Sequence, residues 1–292
     1  MRQLVAEAAA VLAEAGVASP EYDAAELLAH VLGTTRARLV LVAGPAGNAD
    51  GGVSRLSTEQ RAAFEALVRR RAAREPLQHL TGSAAFRYVE VAVGPGVFVP
   101  RPETELLAGW AVERAEETAA AGRTPRVVDL CTGSGAIALA VATEVPQARV
   151  HAVELSADAL VWAARNLAGS GVDLREGDMA DAFADLEGTV DVVVCNPPYI
   201  PLEAFESVAP EARDHDPALA LWSGQDGLDA IRVLERRAAR LLAPGGVLGF
   251  EHADVQGEAA RDVLTAAGRW RDVRDHPDLA GRPRYATARL AR

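Results

Sequence analysis

Residues 127–135 read Val127-Val128-Asp129-Leu130-Cys131-Thr132-Gly133-Ser134-Gly135. A short apolar run gives way without a gap to small residues and two glycines, and a helical pattern follows at 135–145. That is a strand, a tight turn and a helix. Glycine lets the backbone turn sharply and approach a ligand, and the first turn of the helix offers N–H groups that have no partner. The spacing Gly133-x-Gly135-x-x-Ala138 matches a dinucleotide-type fingerprint, which alone decides little. The next β-rich run, 150–154, adds weight because it ends in Glu154, 21 residues after Gly133. A carboxylate there can accept both ribose hydroxyls of a nucleoside. Asp178, beyond a third run, is a candidate for the adenine amino group, with Met179 facing the purine ring. NAD and S-adenosylmethionine both fit this half of the pattern.

Working outward, further β-rich runs lie at Val190–Cys195 and 247–251, separated by helical stretches at 157–168 and 226–242. This alternation predicts a doubly wound, mostly parallel sheet with helices on both faces. Runs at 270–274 and 284–290 are expected to close it as a hairpin. Upstream, residues 1–76 read as a helical unit. Leu4, Val5, Ala8, Val11, Leu12 and Ala15 recur at helical spacing before Gly16, and Ser19-Pro20 starts a second helix. A Gly-rich loop, 44–52, precedes Ser57-Thr58-Glu59-Gln60, which has capping-box spacing. In the following helix Phe64, Leu67 and Val68 are expected inward, and Arg69, Arg70, Arg71 and Arg74 outward as a solvated face. Residues 77–100 read as a linking β-hairpin, with 89–93 and 97–99 as its strands and Gly94-Pro95-Gly96 as its turn. Pro102 then opens a helix with acidic first-turn residues Glu103 and Glu105, leaving 101–292 for the sheet domain.

Composition fits this division. The chain has 292 residues, 49% of them apolar and 24% charged, which excludes a disordered chain. No uncharged apolar run reaches membrane-spanning length, and Glu7 and Glu14 interrupt the N-terminal apolar stretch, against a signal peptide. Two cysteines, Cys131 and Cys195, are too few for a disulfide framework, so a cytoplasmic location is expected. The pair is expected to be small buried filling. The formal charge is 30 − 41 = −11, and every basic residue is arginine. Such a chain repels polyanions, so no direct nucleic-acid partner is expected. The six histidines show no metal-ligand spacing, and no metal is expected.

Asn196-Pro197-Pro198-Tyr199 follows the apolar strand Val190–Cys195 directly. Two prolines remove backbone donors and leave carbonyls free to accept. Asn196 adds a side-chain acceptor, and Tyr199 a ring that can stack. Together they suit a planar group bearing an NH2. Its nitrogen is a poor nucleophile because the lone pair is delocalised. Holding both N–H groups orients it and favours the positive charge that develops there. With an activated methyl in line the displacement becomes effectively intramolecular. This acceptor cage has no use in hydride transfer, and it tips the cofactor toward S-adenosylmethionine.

The tetrapeptide is shared by class I methyltransferases that modify amino or amide nitrogens. The whole chain resembles the peptide chain release factor N5-glutamine methyltransferases (the PrmC/HemK family). The resemblance is carried by residues 75–82, 99–105, 129–135, 196–200, 224–228 and 278–282. It implies an α/β fold: a class I, Rossmann-like seven-stranded mixed sheet, a small five-helix N-terminal substrate-recognition domain at 1–76, the linking hairpin at 77–100 and a methyltransferase domain at 101–292. It implies methylation of the glutamine in the Gly-Gly-Gln motif of class 1 release factors, by a monomer with no membrane partner. Cys131, Thr132, Gly133, Ser134, Gly135, Glu154, Asp178, Met179 and Asn196 would hold S-adenosylmethionine. Asn196, Pro197 and Tyr199 would be catalytic, and with Pro198, Phe98 and Arg101 they would bind substrate. Pro100–Thr104 would line the same channel. Cys131 stands where the family loop carries glycine, which suits a side chain if φ there stays negative. The alternatives are a glutamine methyltransferase acting on a ribosomal protein, a DNA adenine methyltransferase and a non-catalytic nucleotide-binding adaptor.

Overall fold

The structure, a computed structural model, describes residues 1–42 and 56–291. The loop expected at 44–52 lies outside the described residues. Two compact units emerge, one of Met1–Gly82 with Ala209–His215 and one of Ser83–Val208 with Asp216–Arg292.

The first unit is helical: α1 (Arg2–Glu14), α2 (Pro20–Val31), α3 (Arg36–Val42), α4 (Thr58–Ala72) and α5 (Leu77–Thr81). Leu12, Leu27, Leu28 and Phe64 fill its core. Ser57 caps α4 as its spacing predicts: its Oγ accepts from the Gln60 N–H at 3.2 Å, and Gln60 Oε1 accepts from the Ser57 N–H at 2.9 Å.

In the second unit a hairpin of β1 (Ser83–Phe86) and β2 (Val89–Ala92) precedes α6 (Thr104–Ala120), β3 (Arg126–Leu130) and α7 (Ala136–Glu144). Then come β4 (Arg149–Glu154), α8 (Ala157–Leu167), β5 (Asp173–Glu176) and β6 (Val190–Cys195). α9 (Pro210–His215) belongs to the first unit. The chain then returns through α10 (Ala218–Leu221), α11 (Asp229–Leu241), β7 (Leu242–Glu251), α12 (Gly257–Ala266), β8 (Trp270–Pro277) and β9 (Pro283–Leu290).

Among the described residues the sheet has seven strands in the order β5-β4-β3-β6-β7-β9-β8. Strands β3 to β7 pair in parallel, and β9 runs antiparallel to both β7 and β8. Side chains alternate across each strand, so both faces are buried. Val127, Val192 and Val194 pack with α6, α7 and α8, whereas Val128, Leu130, Val193 and Cys195 pack with α11 and α12. This is why the central strands read as nearly continuous valine.

Two expectations are corrected. Arg71 is not on a solvated face: it is 6% exposed, its Nε donates to Asp23 Oδ2 at 2.7 Å, and its Nη2 donates to Glu211 Oε1 at 2.9 Å. Arg74 grips the same Glu211 at 2.8 and 2.7 Å. The helical period explains it, since Arg71 lies three residues beyond Val68 and seven beyond Phe64, both inward. Burial alone would raise the Glu211 carboxyl, but Arg74 and then Arg71 hold it down at about 2.

The hairpin also pairs differently. β2 joins β1 around Arg87-Tyr88, not residues 97–99. Gly94 instead lies flat on the Trp162 ring, where a Cβ would come within 2.6 Å, and Val97 and Val99 run buried beyond it. β1 was hidden because Ser-Ala-Ala carries little strand propensity.

Trp110 of α6 packs against Gly249 of β7, where a Cβ would fall 2.3 Å from the ring. Gly249→Ala is therefore expected to destabilise the protein by about 1–3 kcal/mol through overpacking. Urea unfolding measures this, and an unchanged midpoint would mean that the ring has room to swing.

Candidate functional site

The carboxyl ends of the parallel strands open into one cavity within the second unit. Its walls include Phe98, Pro100, Thr104, Cys131 to Ser134, Glu154, Asp178, Met179, Asn196, Pro198 and Tyr199. Parallel register produces this convergence. Leu130 of β3 is the partner of Val153 in β4 and of Cys195 in β6, so Cys131, Glu154 and Asn196 leave the sheet side by side.

The loop after β3 is held from both ends. Glu154, 8% exposed, accepts the Gly133 N–H at 2.7 Å and the Ser156 N–H at 2.8 Å. Asn166 of α8 accepts the Ala92 N–H at 2.8 Å, and its Nδ2 donates at 2.9 Å to the carbonyls of Ala92 and Ser134. Gly135 caps α7 with φ 84. Cys131 has φ 69, so the condition under which a side chain suits this position, a φ that stays negative, is not met. The left-handed backbone costs a side chain about 1 kcal/mol, and the thiol is held 3.6 Å from the Met179 sulfur. Cys195 is fully buried and its thiol is pushed up by burial.

Asp178 is exposed, with Oδ1 accepting the Ala180 N–H at 2.8 Å, while Met179 is half-buried. Gly135, Pro197 and Arg101 do not line the cavity. Pro197 is buried. Arg101 stacks over Phe98, 4.9 Å from the ring centroid, and is paired with Asp216. That carboxylate also accepts the Val99 N–H. Residues the sequence reading passed over include Ile137, Leu155, Ile200, Pro217 and Leu219, all apolar wall. Pro217 and Leu219 lie in the stretch between β6 and α11.

A buried carboxyl, Glu251 at the end of β7, was also missed. It accepts the Thr104 hydroxyl at 2.6 Å and the Tyr199 hydroxyl at 2.8 Å. Burial pushes it up, and those two hydrogen bonds pull it back. Its signal in the sequence was the one that revealed Glu154, a charged residue closing an apolar parallel strand.

This donor set fits S-adenosylmethionine. Glu154 is an acceptor for vicinal hydroxyls, Ile137, Leu155 and Met179 give a purine apolar walls, and the space where a Cβ of Gly133 would stand is open within 4 Å.

Asp129, at the end of β3, accepts the Thr132 hydroxyl at 2.6 Å. Burial pushes its carboxyl up to about 7 against that hydrogen bond. The unfolded chain ionises first, so the native state loses stability as pH rises from 3.8 to about 7. Asp129→Asn is expected to flatten the pH dependence of the melting temperature across that window. An unchanged slope in calorimetry would remove Asp129 from the balance.

Comparison with known proteins gives a consistent picture. A family model described as the PrmC N-terminal domain matches residues 3–82, and one described as the methyltransferase small domain matches 112–209. The chain is 58% identical over 289 residues to the release factor glutamine methyltransferase of Streptomyces coelicolor, covering 98% of this chain and 97% of that protein. With the Mycolicibacterium smegmatis protein of the same name, identity is 47% over 298 residues, covering 100% and 99%. A 4-amino-L-phenylalanine/4-methylamino-L-phenylalanine methyltransferase of Streptomyces pristinaespiralis is 49% identical over 211 residues, 72% of each chain. Among solved structures, the hMettl16 catalytic domain aligns with a TM-score of 0.54 at 13% identity, covering 69% of this chain and 75% of that one, a likeness of fold.

Proposed function

The chain belongs to the release factor glutamine methyltransferase family, and from that premise we propose that it methylates the side-chain amide nitrogen (N5) of the glutamine in the Gly-Gly-Gln motif of class 1 peptide chain release factors. The observation that carries the reading is one cavity lined both by Glu154 and by Asn196, Pro198 and Tyr199. The first serves a nucleoside and the others a planar NH2 group.

When bound, S-adenosylmethionine supplies an electrophilic methyl group. Glu154 would accept the ribose hydroxyls, and the residues from Cys131 to Ser134 with Asp178 and Met179 would hold the rest. Asn196 Oδ1 and the main-chain carbonyl beside Pro197 accept the two amide hydrogens of the glutamine. Neither proline offers an N–H to compete. The clamp would fix the nitrogen and favour the charge that forms on it as the methyl's bond to sulfur is exchanged for one to nitrogen, and the nitrogen would then release one of its two hydrogens as a proton. Phe98, with Arg101 stacked over its ring, forms the substrate side, and Pro217 and Leu219 complete the apolar wall. The same reading makes the protein a cytoplasmic monomer acting without nucleic acid. Among the described residues no helix is long and apolar enough to cross a membrane.

The Streptomyces pristinaespiralis relative supports a second reading, since an aromatic amine is also a planar NH2. Coverage of 97% and 99% of the two release factor enzymes, against 72% of the amino acid enzyme, favours the protein substrate.

Incubation with S-adenosylmethionine and either a release factor or 4-aminophenylalanine, read by mass spectrometry, decides between them. One added methyl on the Gly-Gly-Gln peptide is expected; methylation of the amino acid alone would overturn the substrate. Asn196→Ala is expected to lower turnover by about 100-fold or more with cofactor affinity within a few fold. Glu154→Ala should weaken cofactor binding by about 1–3 kcal/mol. Calorimetric titration reads both variants, and a normal dissociation constant for Glu154→Ala would remove the ribose role.

A further inference from the structure

Asn196 serves the proposed clamp only if its carbonyl, and not its NH2, faces the substrate. The two ends of a side-chain amide have nearly the same shape, so packing alone does not choose between them. The choice is made beneath the site. Asn196 Nδ2 donates to Thr104 Oγ1 at 3.3 Å. The Thr104 hydroxyl donates in turn to Glu251 Oε2 at 2.6 Å. The Tyr199 hydroxyl donates to Oε1 of the same carboxylate at 2.8 Å. Glu251 itself is 1% exposed.

A hydroxyl has one proton. Once Thr104 gives it to the carboxylate, its oxygen can only accept, and Asn196 must turn its NH2 toward Thr104. The carbonyl of Asn196 then points the other way. Both oxygens of Glu251 accept from these hydroxyls, and a carboxylate that accepts on both donates on neither, so it is the member of the chain that sets its direction. The charged groups facing it are Arg284 from β9 and Glu103 just before α6.

We infer that Glu251 is a positioning residue for methyl transfer: through Thr104 it fixes which end of Asn196 meets the substrate amide, and through Tyr199 it anchors the ring beside it. The inference rests on the clamp reading of Asn196. It assigns Glu251 no contact with substrate and no proton transfer.

Glu251→Gln keeps the shape but introduces an NH2 donor. One of the two hydroxyls must then reverse; if it is Thr104, it donates to Asn196 and turns the amide around. Turnover of Glu251→Gln on a release factor is expected to fall about 10- to 100-fold, with the S-adenosylmethionine dissociation constant within threefold and an unchanged melting temperature. Thr104→Val should show the same loss, while Thr104→Ser, which keeps the hydroxyl, should recover most of the activity. The loss should fall on kcat and leave KM for the release factor within a few fold. Full turnover by Thr104→Val would overturn the relay, as would equal loss in the Ser and Val variants, which would place the effect in packing. Wild-type protein runs in the same assay. If it does not methylate glutamine, the clamp reading has failed; if it does and the variants match it, only the relay has.

Discussion

Leu130 is paired on one side with Val153 and on the other with Cys195, and the chemistry of the molecule follows from that double registration. Parallel strands that end level deliver their next residues to a single edge, and here those residues are a thiol in a glycine loop, a carboxylate and a carboxamide. A slip of one residue in either ladder would send the valines to the wrong faces and carry Glu154 or Asn196 away from the cavity. The buried valines of the central strands therefore specify the site as firmly as the polar residues that line it.

Polar groups at that edge are costly to bury, and each is held by a partner. Glu154 is held by two backbone N–H groups, Asp129 on one oxygen by the Thr132 hydroxyl while its other oxygen is buried without a partner among the described residues, and Glu251 by two hydroxyls. The carboxyls of Asp129 and Glu251 are nevertheless pushed up, because burial outweighs those hydrogen bonds. Cys131 adds backbone strain of its own. Order at this edge is thus maintained against desolvation, with the packed faces of the sheet providing the restoring force.

Much of this was legible in the residues. The alternation of apolar runs and helical stretches carried the sheet, and the interval from Gly133 to Glu154 carried the cofactor side. Local signals such as the Ser57 cap were equally plain. Contacts between distant segments were less so. Arg71 sits in a run of arginines whose composition says solvent, and only the helical period, together with Asp23 and Glu211 far away in the chain, turns it inward. β1 lacked branched residues, so no local pattern marked it as the partner of β2. Glu251 stands 52 residues from the tyrosine it binds, a separation no local pattern reports.

The grouping of α9 with the helical unit has a consequence for modularity. The residues before Ala209 and after His215 belong to the other unit, so the chain crosses between the two three times. A boundary drawn once through the sequence at Gly82 would strip Arg71 and Arg74 of the carboxylate they share and leave Asp23 as the one carboxylate paired with Arg71. The helical unit is therefore not a cassette that recombination could append or remove in one cut. Its exchange between proteins would have to carry a second, internal fragment, which ties the history of this unit to that of the loop following Tyr199.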